Sequence, residues 1–220
     1  MEKRRKNILT LAFVIVFQFI LLYCVVLFND NLLMDFPLGV RMVLGFVTNW
    51  IMLIVPVLLM INKKERLSSF GFSNVKIPAQ VFIGIAIGIV MCLVLTVVPI
   101  LCGLKDMVSD KRYTKTWQFI YEFFFAIFGV ALWEEFFFRG YVFKKLMDIK
   151  ESKLLVIIVS SIVFGLLHIF GGDILQVFVS TAIGIFLCVV REKIKGCSTL
   201  SLILAHGIHN TLIVLCVAIL

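Results

Sequence analysis

The chain has 220 residues, of which 62% are hydrophobic and only 15% charged, and its mean hydropathy is +1.12. Those values exclude an ordinary soluble globular domain. The formal net charge of +8 needs no nucleic-acid partner, because basic loops at a bilayer surface account for it.

Apolar runs of about 18 residues or more are long enough to span a bilayer. Seven are predicted, at about 8–29, 38–61, 79–103, 116–138, 154–170, 174–190 and 199–219. The expected fold is therefore all-α, a polytopic membrane helix bundle of about seven transmembrane helices. With so little chain between spans, residues 1–220 read as a single integral-membrane domain, without internal repeats or a long linker. The opening MEKRRKN precedes an apolar run longer than the roughly 7–15 residues of a signal-peptide core and lacks a clear cleavage site. It reads as an uncleaved signal anchor.

Lys and Arg favour cytoplasmic loops. Segments 1–7, 62–77, 139–153 and 191–198 hold 16 of the 21 basic residues, while on the opposite side 30–37 and 171–173 hold none and 104–115 holds four. The N-terminus is therefore expected in the cytoplasm. Within the spans, Pro56 and Pro99 are candidate kinks, and Gly84 with Gly88 suits a close helix crossing. Cys24, Cys92, Cys102, Cys188, Cys197 and Cys216 show neither a CxxC pair nor zinc-ligand spacing, and read as small apolar core residues.

Chemistry concentrates in the last hundred residues. An ionisable group at the bilayer centre costs at least about 2.5–3.5 kcal/mol, so such groups face a protein interior or a wet cavity. Glu134, Glu135 and Arg139 fall in one apolar stretch, His168 in a second, His206 and Asn210 in a third. On a helix, Glu135 and Arg139 share a face and form an ion pair, whereas Glu134 lies one residue round and is free for another task. Phe164 and His168 share a face, with Gly171-Gly172-Asp173 forming a turn just beyond. His206 and Asn210 share a third, and His209 either joins a metal site or takes a hydrogen-bonded packing role.

Depth brings these residues together. The fourth and fifth spans meet at a charged turn near Asp148 to Lys153, and the midpoint of Glu134 and His168 falls inside it, at residue 151. At 1.5 Å per residue, Glu134 lies about 16 Å from Lys145, His168 about 22 Å from Lys153, and His206 roughly 15 Å from Gly196. Three helices thus carry polar groups into one layer.

Glu134-Glu135 with Arg139, then Phe164 with His168, then His206 with Asn210, in that order along a hydrophobic bundle, resemble the family of CAAX proteases and bacteriocin-processing enzymes (CPBP, or Abi). That family includes the Ras-converting CAAX endopeptidase. The motif-bearing catalytic core then covers about 116–220. The resemblance implies an intramembrane endopeptidase in which Glu134 and His168 activate a water, His206 and Asn210 stabilise the oxyanion, and Glu135 and Arg139 support the site. Its substrates would be membrane-associated peptides: CAAX-like tails, bacteriocin leaders or signalling-peptide precursors. The Lys-, Ile- and Phe-rich composition suggests a multi-pass protein of a bacterial plasma membrane. A metal-free glutamate mechanism is favoured, with a zinc ion on Glu134, His168 and His206 as the alternative, since HExxH is absent. Two other function classes remain: a proton-coupled transporter relaying through the same residues, for which matching broken helices are not evident, and a non-catalytic immunity or partner-binding protein.

Overall fold

A computed structural model describes residues 2–109, 111–149, 152–171 and 174–220. The turns expected near Asp148 to Lys153 and at Gly171-Gly172-Asp173 fall partly outside these residues. The described chain is all helical, as the composition requires of segments that must satisfy their own backbone in lipid. Helix α1 is Glu2–Asn31 and α2 is Leu38–Asn62. Helix α3, Ile77–Cys92, is prolonged by π-helical Leu93–Val97 and α-helical Val98–Leu101.

Helix α4 departs from the expected span at 116–138. It is a longer run in which α-helical Thr116–Phe124, Leu132–Glu134 and Phe143–Asp148 alternate with π-helical Phe125–Ala131 and Glu135–Val142. Helices α5 (Lys153–Leu167), α6 (Ile174–Lys193) and α7 (Thr199–Ile219) complete the bundle. Six helices among the described residues are long and apolar enough to cross a membrane, against the expected seven or so, and α4 is not one of them. Helix α4 is the centre of the bundle. Every residue of Glu135–Val142 is buried, against α2, α5, α7 and the 3-10 turn Leu67–Phe70.

The prolines and glycines are explained by neighbours. Pro56 has no N–H to give the Met52 carbonyl one turn back. Gln18 of α1, wholly buried, donates to that carbonyl instead, at 2.7 Å. Helices α3 and α7 cross where Gly84 faces the Ser201 carbonyl and Gly88 faces the Ala205 carbonyl, a seam that a Cβ would enter at 2.7 and 2.8 Å. The cysteines divide: Cys92 and Cys188 are buried, Cys197 and Cys216 partly so. Cys24 and Cys102 are exposed and correct the expectation of a core role, since a small apolar thiol suits a lipid-facing position equally well.

An ion cluster fastens the end of α2 to the end of α4. Lys145 Nζ donates to both Glu65 oxygens at 2.6 and 2.8 Å, and Lys144 Nζ reaches Glu65 at 3.1 Å and Asp148 at 2.5 Å. Burial pushes the Glu65 carboxyl up, but the hydrogen bonds from Lys145 and Lys144 outweigh it and hold the group below the usual carboxylate range.

Two measurements check this frame. Gly84→Ala is expected to lower stability in detergent by about 1–3 kcal/mol, because the opposing atom is rigid backbone. Gly39→Ala, with open space around its Cβ, should leave it unchanged or slightly raised; equal melting of the two variants would refute the seam. A carboxyl whose folded-state pKa is lowered stabilises the fold above its unfolded value of about 4.3, and that contribution is lost as pH falls through the folded value. The melting temperature should therefore drop below about pH 4, and Glu65→Gln should blunt the drop; an unchanged acid limb in that variant would remove Glu65 from the account.

Candidate active site

The site is built where α4, α5 and α7 meet. Glu135 Oε1 accepts from Arg139 Nη1 at 3.0 Å and from His206 Nδ1 at 2.8 Å. Glu135 is fully buried and Arg139 is 1% exposed, so this is a dry ion pair one helical turn apart, as the spacing predicted. Glu134, on the neighbouring α-helical turn, lies with Oε2 3.8 Å from His206 Nε2, too far for a hydrogen bond. That oxygen is buried without a hydrogen-bond partner, as are Glu135 Oε2 and Arg139 Nε and Nη2. His206 therefore stands between two carboxylates, bonded to one and facing the other.

Phe164 ties the remaining histidine to this cluster. The Arg139 guanidinium lies 4.0 Å over its ring centroid, a cation–π contact. His168 and His206 meet Phe164 edge-on at 4.9 and 6.2 Å. Helix α5 stops at Leu167, so His168 sits at its C-terminus and begins a 3-10 turn, His168–Phe170. Its Nδ1 lies 3.1 Å from the Phe164 carbonyl, one of the four orphan acceptors of a helix end. A carbonyl only accepts, so Nδ1 carries the hydrogen, and in the neutral ring Nε2 keeps its lone pair.

The structure thus gathers Glu134, Glu135, Arg139 and His206 into one contact group and attaches His168 through Phe164. Among the described residues there is no hydrogen bond between Glu134 and His168, and none to the half-buried Asn210, one turn beyond His206. His209 takes the packing role: Nε2 is 3.4 Å from Thr96 Oγ1, in the π-helical part of α3. No three His, Cys, Asp or Glu side chains among the described residues are grouped to hold a metal ion, and the zinc set Glu134, His168 and His206 is not so grouped.

Several supporting residues escaped the sequence reading. Trp133, next to Glu134, donates from Nε1 to Asn49 Oδ1 at 3.0 Å, and Asn49 in turn donates to the Gly45 carbonyl. Arg191 of α6 donates to the Arg139 carbonyl. Asn49 was detectable as a lone amide inside an apolar span. Arg191, among loop cations, carried only a topology signal. A cavity of about 360 Å³ beside Arg191 is lined by Ser68, Gly71, Lys144 and Cys197 and touches Arg139 and Gly140 of the site, but not Glu134, His168 or His206.

Removing one partner of a buried ion pair strands the other charge, at about 3–5 kcal/mol. Glu135→Gln and Arg139→Ala are therefore expected to reduce folded yield in detergent well below that of Glu134→Gln. Equal yields for all three would show that the pair does not hold the bundle together.

Residues 116–212 match the family model described as type II CAAX prenyl endopeptidase Rce1-like. The matched stretch begins with α4, ends within α7 and contains Glu134, Glu135, Arg139, His168, His206 and Asn210. Neither the curated proteins nor the solved structures yield a match. Through that stretch, just under half of its length, this multi-pass membrane chain is similar to the type II CAAX prenyl endopeptidases of the Rce1-like family.

Proposed function

We propose that the chain is an intramembrane endopeptidase that hydrolyses a peptide bond in membrane-associated peptides, using a water activated by Glu134 and His168 and no metal. One observation carries the reading: of two adjacent buried carboxylates, Glu135 is hydrogen-bonded to Arg139 and His206, while Glu134 presents Oε2 without a hydrogen bond, 3.8 Å from His206 Nε2. The tied carboxylate fixes the site. The other is available as a base.

His168 supports the same role. With Nδ1–H committed to the Phe164 carbonyl, its Nε2 lone pair is the free edge of the ring. A water between Glu134 and His168 Nε2 loses its proton to the carboxylate as its oxygen bonds to the scissile carbonyl carbon. In its protonated form His206 donates through Nδ1 to Glu135 and directs Nε2–H toward the oxyanion, with the Asn210 amide one turn along as a second donor. Collapse of the tetrahedral adduct breaks the C–N bond, and the proton on Glu134 passes to the departing amine. Phe136, Phe137 and Phe138 are all buried around this layer and keep bulk water out.

The substrates that fit are lipophilic peptides presented from the bilayer: CAAX-like tails, bacteriocin leaders or signalling-peptide precursors. The basic segments favour a cytoplasmic N-terminus in a bacterial plasma membrane. Positioned acid–base groups contribute about 10²–10⁴-fold. In bilayer nanodiscs, Glu134→Ala and His168→Ala should each lower cleavage of a lipophilic reporter panel by at least about 10²-fold, with a chelator leaving the wild type unaffected. Full activity in either variant would overturn the assignment, and loss of activity with chelator would overturn the metal-free mechanism.

A further inference from the structure

Arg191 closes the last turn of α6, and its surroundings explain why an arginine stands there. In an α-helix the Arg139 carbonyl would accept from the Phe143 N–H four residues on. Glu135–Val142 is π-helical instead, and the Phe143 N–H turns to the Phe138 carbonyl five residues back. The Arg139 carbonyl is passed over, and Arg191 Nη1 donates to it. The same guanidinium lies 4.0 Å over the Phe143 ring, on the far side of that turn. It therefore clasps both ends of the passed-over turn.

Two further features hold Arg191 there. Its neighbour Glu192 is 2.6 Å from Lys153 but 3.4 Å from Arg191, so the surface ion pair is made chiefly with lysine. Gly71, at φ 85°, brings its backbone against Arg191 Nη1 and Thr199 Oγ1; a Cβ there would lie 3.4 and 2.5 Å from them. Thr199 fastens the same loop to α7 by donating to the Phe70 and Gly71 carbonyls at 2.7 and 2.9 Å. Loss of this one donor leaves a buried backbone acceptor without its partner, on the turn that carries Glu135.

We infer that Arg191 is a positioning residue: its hydrogen bond to the Arg139 carbonyl holds the π turn that sets the aim of Glu134 and Glu135. It acts through α4 and not on the reacting atoms. The kinetic part of this inference rests on the protease reading above.

The test uses the full chain in nanodiscs with Arg191→Met, which keeps an apolar stem over Phe143, and Arg191→Lys, which restores a donor. Misplacement of a catalytic group by 1 Å can cost about 10²-fold. Arg191→Met is expected to lower kcat by about tenfold or more, with KM and melting temperature close to wild type, and Arg191→Lys to recover most of the loss. Amide hydrogen exchange in peptides covering 135–143 should be faster in Arg191→Met, slowed again in Arg191→Lys and unchanged in α1. Equal behaviour of the two variants, a loss confined to KM, or a loss that follows melting temperature would overturn the inference. If the wild type cleaves nothing, the protease reading fails, and exchange still decides: acceleration limited to 135–143 and reversed by lysine upholds the clasp, and unchanged exchange overturns it.

Discussion

Keeping one carboxylate charged in the middle of an apolar bundle is the constraint on which the rest of this structure depends. Glu135 meets it by accepting from Arg139 and His206 through a single oxygen. The pair cannot be moved toward lipid without exposing two charges to hydrocarbon, so the helix that bears it has to be the central one. The arrangement of α2, α5 and α7 around α4 follows from that need. Glu134, one residue away, shares the same enclosure with its Oε2 free of hydrogen bonds.

The winding of α4 is the second half of the solution. Its π turns displace backbone carbonyls from their usual partners, and side chains from other helices take them up. Leu132 bonds back to Ile127, and the Phe128 carbonyl accepts from Trp50 Nε1 at 2.8 Å. Arg191 does the same for Arg139. Such turns are common at functional sites, and here each one is an anchoring point between α4 and a neighbour. A regular α-helix would have satisfied its backbone alone and offered no such holds. Precision at Glu134 therefore comes from α2 and α6 as well as from the motif-bearing helices.

Much of this was legible in the sequence because lipid punishes polarity. Glu134, Glu135, Arg139, His168 and His206 stood out against their apolar stretches. The Glu135–Arg139 pair and the Gly84–Gly88 seam followed from spacing. What could not be read depended on register or on direction. The π turns turn on which carbonyl each N–H chooses, and nothing in the apolar pattern of 125–142 encodes that choice. The end of α5 at His168 was hidden because the side chain itself caps the helix. Hydrophobicity separates water from everything else, but not core from lipid, which is why Cys24 and Cys102 were misplaced.

The glycine seam between α3 and α7 also bears on how the molecule can move. With Gly84 against the Ser201 carbonyl and Gly88 against that of Ala205, the two backbones are in contact over more than a turn, and Thr96 and His209 extend the contact further along. Sliding or tilting one helix relative to the other would drive carbonyls into carbons. The pair behaves as a stiff plank carrying His206 and Asn210 on its edge, so any loosening of the bundle has to run along a line other than this seam.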